Sequence, residues 1–147
     1  MLEKKCQCAK IKVFDRFEDA VAASQHAAKL DPSNKEVNIV VKRARAVKSA
    51  RLSGNLLFKA SKFSEAFVTY NEGLENDPYN AVLLCNRAAC RSKLGQYEKA
   101  VEDCTTALNV RPSYSKARLR RADCNAKVNH RRLRVKCCFV ASEMLVY

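Results

Sequence analysis

Eight cysteines and two histidines carry the most reactive side chains of this 147-residue chain, and their spacing gives them little joint chemistry. Cys6 and Cys8 form a C-x-C, Cys137 and Cys138 are adjacent, and Cys85, Cys90, Cys104 and Cys124 lie scattered. A zinc knuckle or a thioredoxin-type redox pair requires C-x-x-C, which the chain lacks. Neither His26 nor His130 sits near a second ligand, so no metal site is expected. The start, Met-Leu-Glu-Lys-Lys-Cys, has no apolar stretch behind it. A secretory signal is therefore not expected, and the thiols are read as reduced, cytoplasmic and mostly small buried apolar groups. No Ser-His-Asp or Cys-His set can be assembled, and no glycine-rich phosphate loop is present. Neither an enzyme nor a cofactor is expected.

Charge gives the larger signal. Lys and Arg number 28 against 15 Asp and Glu, a net charge of +13. Residues 35–60 hold seven basic and one acidic residue, and residues 113–147 hold nine and two. These two segments contain the whole excess, which suits an acidic partner. The bland alternative is a solvated basic surface. A nucleic-acid surface should interleave aromatic residues with the basic ones, and only Phe58 and Tyr114 come near, so nucleic acid is the weaker reading. At 48% apolar the chain can fill a core. No apolar run approaches the roughly 20 residues of a membrane span.

The elements that must position these charges follow from an internal repeat. Windows 47–78 and 81–112 align without a gap, their prolines 34 residues apart. Gly54 matches Ala88, Phe63 matches Tyr97, Ala66 matches Ala100, Gly73 matches Ala107, Leu74 matches Leu108 and Pro78 matches Pro112. Small residues at fixed places let two helices approach, and the aromatic fills the space beside them. This period and pattern resemble the tetratricopeptide repeat, a helix-turn-helix unit. The resemblance covers residues 12–128 and implies an all-α fold of helical hairpins stacked as a short right-handed superhelix. Residues 1–34 read as a partial repeat, mainly its second helix. Residues 35–128 read as a long helix leading into two complete repeats and the first helix of a third. Residues 129–147 read as a divergent basic and apolar tail. The proline spacing from Pro32 to Pro78 exceeds one period by 12 residues. Ser33 and Glu36 form a capping box, and Val37, Val40, Val41, Ala44 and Val47 follow at helical spacing, so one helix is expected from about Lys35 to Ala60. In the tail, Leu133, Cys137, Val140, Met144 and Tyr147 suit either an amphipathic capping helix or an end that never packs.

The resemblance also supplies a candidate site. Some tetratricopeptide-repeat domains hold the free carboxyl terminus of the seventy- and ninety-kilodalton heat-shock chaperones in a carboxylate clamp. Five polar residues on three successive first helices form it. The matching positions here are Arg51 and Asn55, then Asn86, then Lys116 and Arg120, separated by 31 and 30 residues in the clamp register. Arg51 stands where lysine is usual. Arginine engages a carboxylate with two parallel donors, and asparagine donates without adding charge. Lys116 and Arg120 are expected to face solvent in an empty groove. Glu102 and Asp103 would fall on an outer helix, away from such a site. The stretches 16–37 and 86–127 further resemble the plant tetratricopeptide-repeat thioredoxin-like family, without its thioredoxin-like domain, so a fragment or truncated product is expected. That resemblance implies co-chaperone-like scaffolding in stress or hormone signalling. A scaffold without a clamp and a basic RNA binder are the alternatives, and no membrane insertion is expected.

Overall fold

The structure, a computed structural model, describes His26 and residues 35–144, with side chains as far as Arg134. The expected partial repeat over 1–34, the Ser33 cap, Cys6, Cys8, Cys137 and Cys138 lie outside the described residues or side chains.

Five helices follow one another: α1 (Lys35–Lys59), α2 (Phe63–Asn76), α3 (Ala81–Lys93), α4 (Tyr97–Val110) and α5 (Ser115–Met144). No strand occurs among the described residues. Each helix packs on the next, and α3 also meets α5. The chain is all-α, with helical hairpins stacked as a short right-handed superhelix, as the repeat resemblance implies.

The stops between helices have local causes. Asp77 and Arg111 each precede a proline, which disfavours helical backbone, and both are extended, with φ of -146° and -135°. Asn80 then caps α3, its side-chain oxygen accepting from the Leu83 amide at 3.1 Å. At the end of α3, Gly95 takes φ +75°. The Gln96 amide donates to the Arg91 carbonyl and the Gly95 amide to the Ser92 carbonyl, closing the helix. The end of α1 has the same pair of bonds, Lys62 to Leu57 and Ser61 to Phe58, around Ser61 at φ 60°.

Length and sequence pattern set the two long helices. Nothing interrupts α1 before Gly54, and its 25 residues span about 37 Å. It buries Val41, Val47, Ala50 and Gly54 toward the stack. The tail continues α5 to Met144 instead of turning. Of the apolar stripe proposed for the tail, only Leu133 has a described side chain, and it is 61% exposed.

The core runs along the inner faces of the helices. Tyr70, Leu83, Cys85, Cys90, Cys104 and Cys124 are its largest fully buried side chains. Burying a residue such as Leu83 stabilises the fold by roughly 1.5–3 kcal/mol. The cysteines of the hairpins are free, buried thiols that fill space as small apolar groups.

Candidate peptide-binding groove

Three successive first helices, α1, α3 and α5, contribute to one pocket. Asn55, Phe58 and Lys59 lie three and four residues apart on one face of α1. Asn86 and Ala89 join them from α3, Tyr70 from α2 and Arg120 from α5, around a pocket of about 210 Å³. A neighbouring pocket of about 430 Å³ shares Phe58, Ala89 and Arg120 and adds Lys93, Lys116 and Lys127. Its acid is Asp123, which holds Lys127 at 2.8 Å and raises that ammonium's pKa through the hydrogen bond. Cations therefore dominate the lining.

Asn55, Asn86 and Arg120 thus meet at one pocket, and Lys116 lines the adjoining one beside Arg120. Arg51, one turn before Asn55, instead lines a smaller pocket of about 30 Å³ with Val47, Asn80, Ala81 and Arg111.

Hydrogen bonds fix part of this lining before any ligand arrives. The Asn55 side-chain oxygen accepts from the Tyr70 hydroxyl at 2.7 Å and from Asn86 Nδ2 at 3.2 Å. With two donors on that oxygen, Asn55 can offer a ligand only its own N–H donors. Burial pushes the Tyr70 phenol up to about 12, with Cys90 adding and Arg120 opposing, so the hydroxyl remains a donor near neutral pH.

Arg120 departs from the solvent-facing position expected of it. Its side chain is half-buried, and Nη1 donates to the Cys85 carbonyl oxygen and to Cys85 Sγ. The reason is geometric: α5 packs against α3, which brings the Cys85 carbonyl within hydrogen-bond reach of the guanidinium. These contacts use one nitrogen and leave the other edge of the guanidinium to a ligand. Burial raises the Cys85 thiol despite Arg120, so it is a protonated, unreactive group. Lys116 is exposed, as expected.

Two features were not visible in the spacing. Tyr70 reaches the site through a pair that no repeat offset marks, the glycine beside Asn55 and a tyrosine fifteen residues after it. Asp103 lies on the outer helix α4, as expected, but its side chain turns inward and is buried at 4% exposure. Arg87 reaches it with Nε at 3.1 Å and Nη2 at 2.7 Å, and Arg91 with Nη1 at 2.9 Å. Arg87 also donates to Asn71 at 2.7 Å, so the cluster ties α2, α3 and α4 together. Among the described residues no group of three or more His, Cys, Asp or Glu could hold a metal ion. No described helix is long and apolar enough to cross a membrane.

The tetratricopeptide-repeat family model matches residues 81–114, which span α3, α4 and the turn after them. A solved structure titled the second such domain of Spaghetti (RPAP3) bound to the HSP90 peptide SRMEEVD is 34% identical. The match covers 60% of this chain and 84% of that one, with a TM-score of 0.57. The chain belongs to the tetratricopeptide-repeat family. The TPR2B domain of yeast Sti1, solved in a complex with an Hsp70 peptide, is 30% identical over 58% of this tetratricopeptide-repeat chain and 69% of that one, again at a TM-score of 0.57. Among curated proteins, the inactive TPR repeat-containing thioredoxin TTL3 of Arabidopsis thaliana is 53% identical over 105 residues. That match takes 71% of this chain but only 15% of the relative's length. The fold and family make the chain a protein-interaction module.

Proposed function

We propose that this repeat module binds acidic peptides through their free carboxyl terminus, as a co-chaperone-like clamp for the tails of seventy- or ninety-kilodalton heat-shock chaperones. One observation carries the reading: Asn55, Asn86 and Arg120 converge from three helices on a single pocket, beside a second pocket rich in lysine. A terminal Asp presents two carboxylates. Arg120 and Lys116 supply charge for them, while Asn55 and Asn86 supply N–H donors that add none. Arg51, one turn before Asn55 on α1, is the fifth member of the clamp in this reading, although it lines a separate pocket in the structure. Two related domains were solved with chaperone peptides, one of them ending Glu-Glu-Val-Asp, which supports the same ligand class here. A cytoplasmic setting goes with this reading, since a reducing compartment maintains free buried thiols. The proposal extends to scaffolding in stress or hormone signalling on the plant resemblance alone.

Calorimetry with a peptide ending Glu-Glu-Val-Asp, free and amidated, tests it. Amidation should lower affinity at least tenfold, and equal binding of the two forms would refute the clamp. A charge-assisted hydrogen bond contributes roughly 1.5–3 kcal/mol. Lys116→Ala should therefore weaken binding about tenfold to a hundredfold, with melting unchanged because the side chain is exposed. Arg121→Ala removes the same charge from a position about 100° around the helix from Arg120 and should have little effect. Equal losses from Lys116 and Arg121 would indicate diffuse electrostatics over α5.

A further inference from the structure

An asparagine side chain can meet a ligand with either of two opposite ends. Turned one way, Asn55 offers two N–H donors to a carboxylate. Turned the other way, it points an oxygen lone pair at that carboxylate and repels it. The two states differ by a half-turn about one broad, roughly two-fold side-chain torsion, so the affinity of the site depends on what holds the amide.

Two groups hold it here. Asn86 Nδ2 donates to the Asn55 oxygen, but Asn86 itself lines the pocket and is available to a ligand. When Asn86 turns to a peptide, that restraint weakens. The Tyr70 hydroxyl is different. Tyr70 is 1% exposed, comes from the outer helix α2, and donates to the same oxygen at 2.7 Å. Its ring is fixed by the core around Ala66, Leu74 and Leu83. The ring reaches Asn55 because Gly54 has no side chain: a Cβ there would stand 2.4 Å from Tyr70 Cε1. Gly54, Asn55 and Tyr70 therefore act as one unit, in which an empty Cβ position admits a ring whose hydroxyl orients the neighbouring amide. The corresponding residues of the second hairpin are Ala88, Ala89 and Cys104, and they have no such arrangement.

We infer that Tyr70 is a positioning residue for carboxylate recognition: its buried hydroxyl holds the Asn55 amide with its N–H donors toward the groove. The inference rests on the clamp reading above. It assigns Tyr70 no contact with the peptide.

Tyr70→Phe removes the hydroxyl and leaves the ring in place. Binding of the free-carboxyl Glu-Glu-Val-Asp peptide should fall about two- to tenfold, the range of one neutral hydrogen bond. In an Asn55→Ala background the same Tyr70→Phe change should have no effect on affinity, because the amide it acts through is gone. A purely structural role would give the same loss in both backgrounds and would overturn the assignment. Binding that requires the free carboxylate but ignores Tyr70→Phe overturns this assignment and leaves the clamp standing. No carboxylate-dependent binding by the unsubstituted chain overturns the clamp and this assignment together. Should Tyr70→Phe fail to fold, NMR on the unsubstituted chain decides. A buried, bonded hydroxyl proton should be visible with cross-peaks to the Asn86 side-chain amide, and a hydroxyl exchanging too fast to observe overturns the inference.

Discussion

The α1–α2 and α3–α4 hairpins are 34 residues out of step and otherwise equivalent, but they are held together by different chemistry. In the first, a ring fills the interface: Tyr70 packs into the gap above Gly54, and its hydroxyl finds Asn55. In the second, Ala88 faces Cys104, the ring is absent, and an ion cluster centred on Asp103 supplies the fastening. The first-hairpin counterparts of Arg87, Arg91 and Asp103 are Ser53, Leu57 and Thr69, so no ion cluster can form there. One repeat pattern thus tolerates either a large side chain against glycine or two small ones supplemented by charge. Only the ring version places a hydroxyl beside the groove.

High pH should separate the hairpins most strongly. Burial raises Cys90 from 9.0 to about 11 and Cys104 from 9.0 to about 12, whereas Tyr70 rises from 10.0 to about 12. For a folded pKa raised above the unfolded one, the stabilisation is complete below the unfolded value. It is lost as pH climbs to the folded value, because the unfolded chain gives up its protons first. Melting midpoints should therefore hold up to about pH 9, then fall steeply toward pH 11–12. Cys104→Ala should reduce the fall beginning near pH 9. A midpoint flat to pH 11 would show that these thiols are not buried as described.

The next effect is the loss of the ion cluster. Asp103→Ala leaves two arginines facing each other without their carboxylate, and removal of one partner from a buried pair costs about 3 kcal/mol. The matching change in the first hairpin, Thr69→Ala, should cost well under 1 kcal/mol, since Thr69 bonds only the carbonyl of Glu65 one turn before it. Chemical denaturation of the two variants compares the hairpins directly, and equal losses would erase the distinction.

Gly54→Ala should follow at about 1–3 kcal/mol, because the added methyl drives into the Tyr70 ring. Converting the first hairpin to the pattern of the second, with Gly54→Ala and Tyr70→Cys together, should cost less than the two single changes summed. Residues in contact couple in this way. Additive losses would mean that the ring and the glycine do not share one space.

These differences also show how far the sequence was readable. The 34-residue period located the helices because small residues, an aromatic and a proline recur in phase, and each reports on its own helix or turn. The uninterrupted α1 was legible for the same reason, with no breaker before Gly54. The spacing of Asn55, Asn86 and Arg120 was legible because i, i+4 and repeat offsets translate directly into helix faces. Contacts made across helices were not legible. The Tyr70 hydroxyl meets Asn55 only after α2 folds back on α1, and Asp103 turns inward only because Arg87 and Arg91 on α3 face it. Arg120 leaves the solvent because the Cys85 carbonyl lies within reach. The tail left a helix and an unpacked end equally open in the sequence, and the continuation of α5 to Met144 goes with a contact made between helices. Arg131 stands at the position of the repeat's aromatic, and there it pairs with Glu98 and lies 5.5 Å over the Tyr97 ring, so the helix is tied back to α4 instead of turning.

The smallest expected effect concerns the two tight turns, which share a bonding pattern and differ in one residue. Gly95 and Ser61 occupy the same place after α3 and α1, at φ +75° and 60°. A side chain in the left-handed region costs about 1 kcal/mol because its Cβ crowds the following carbonyl, and glycine avoids that cost. A Cβ added to Gly95 would meet nothing within 4 Å, so Gly95→Ala has no packing consequence and should lose about 1 kcal/mol through backbone strain alone. Ser61→Gly should gain a little less, because the new glycine also gives the unfolded chain more freedom to lose. Opposite shifts of a few degrees in melting midpoint are the expected outcome. A Ser61→Gly variant less stable than the unsubstituted chain would mean that the serine side chain makes a compensating bond in the turn. The two hairpins would then differ at their tips as well as at their interfaces.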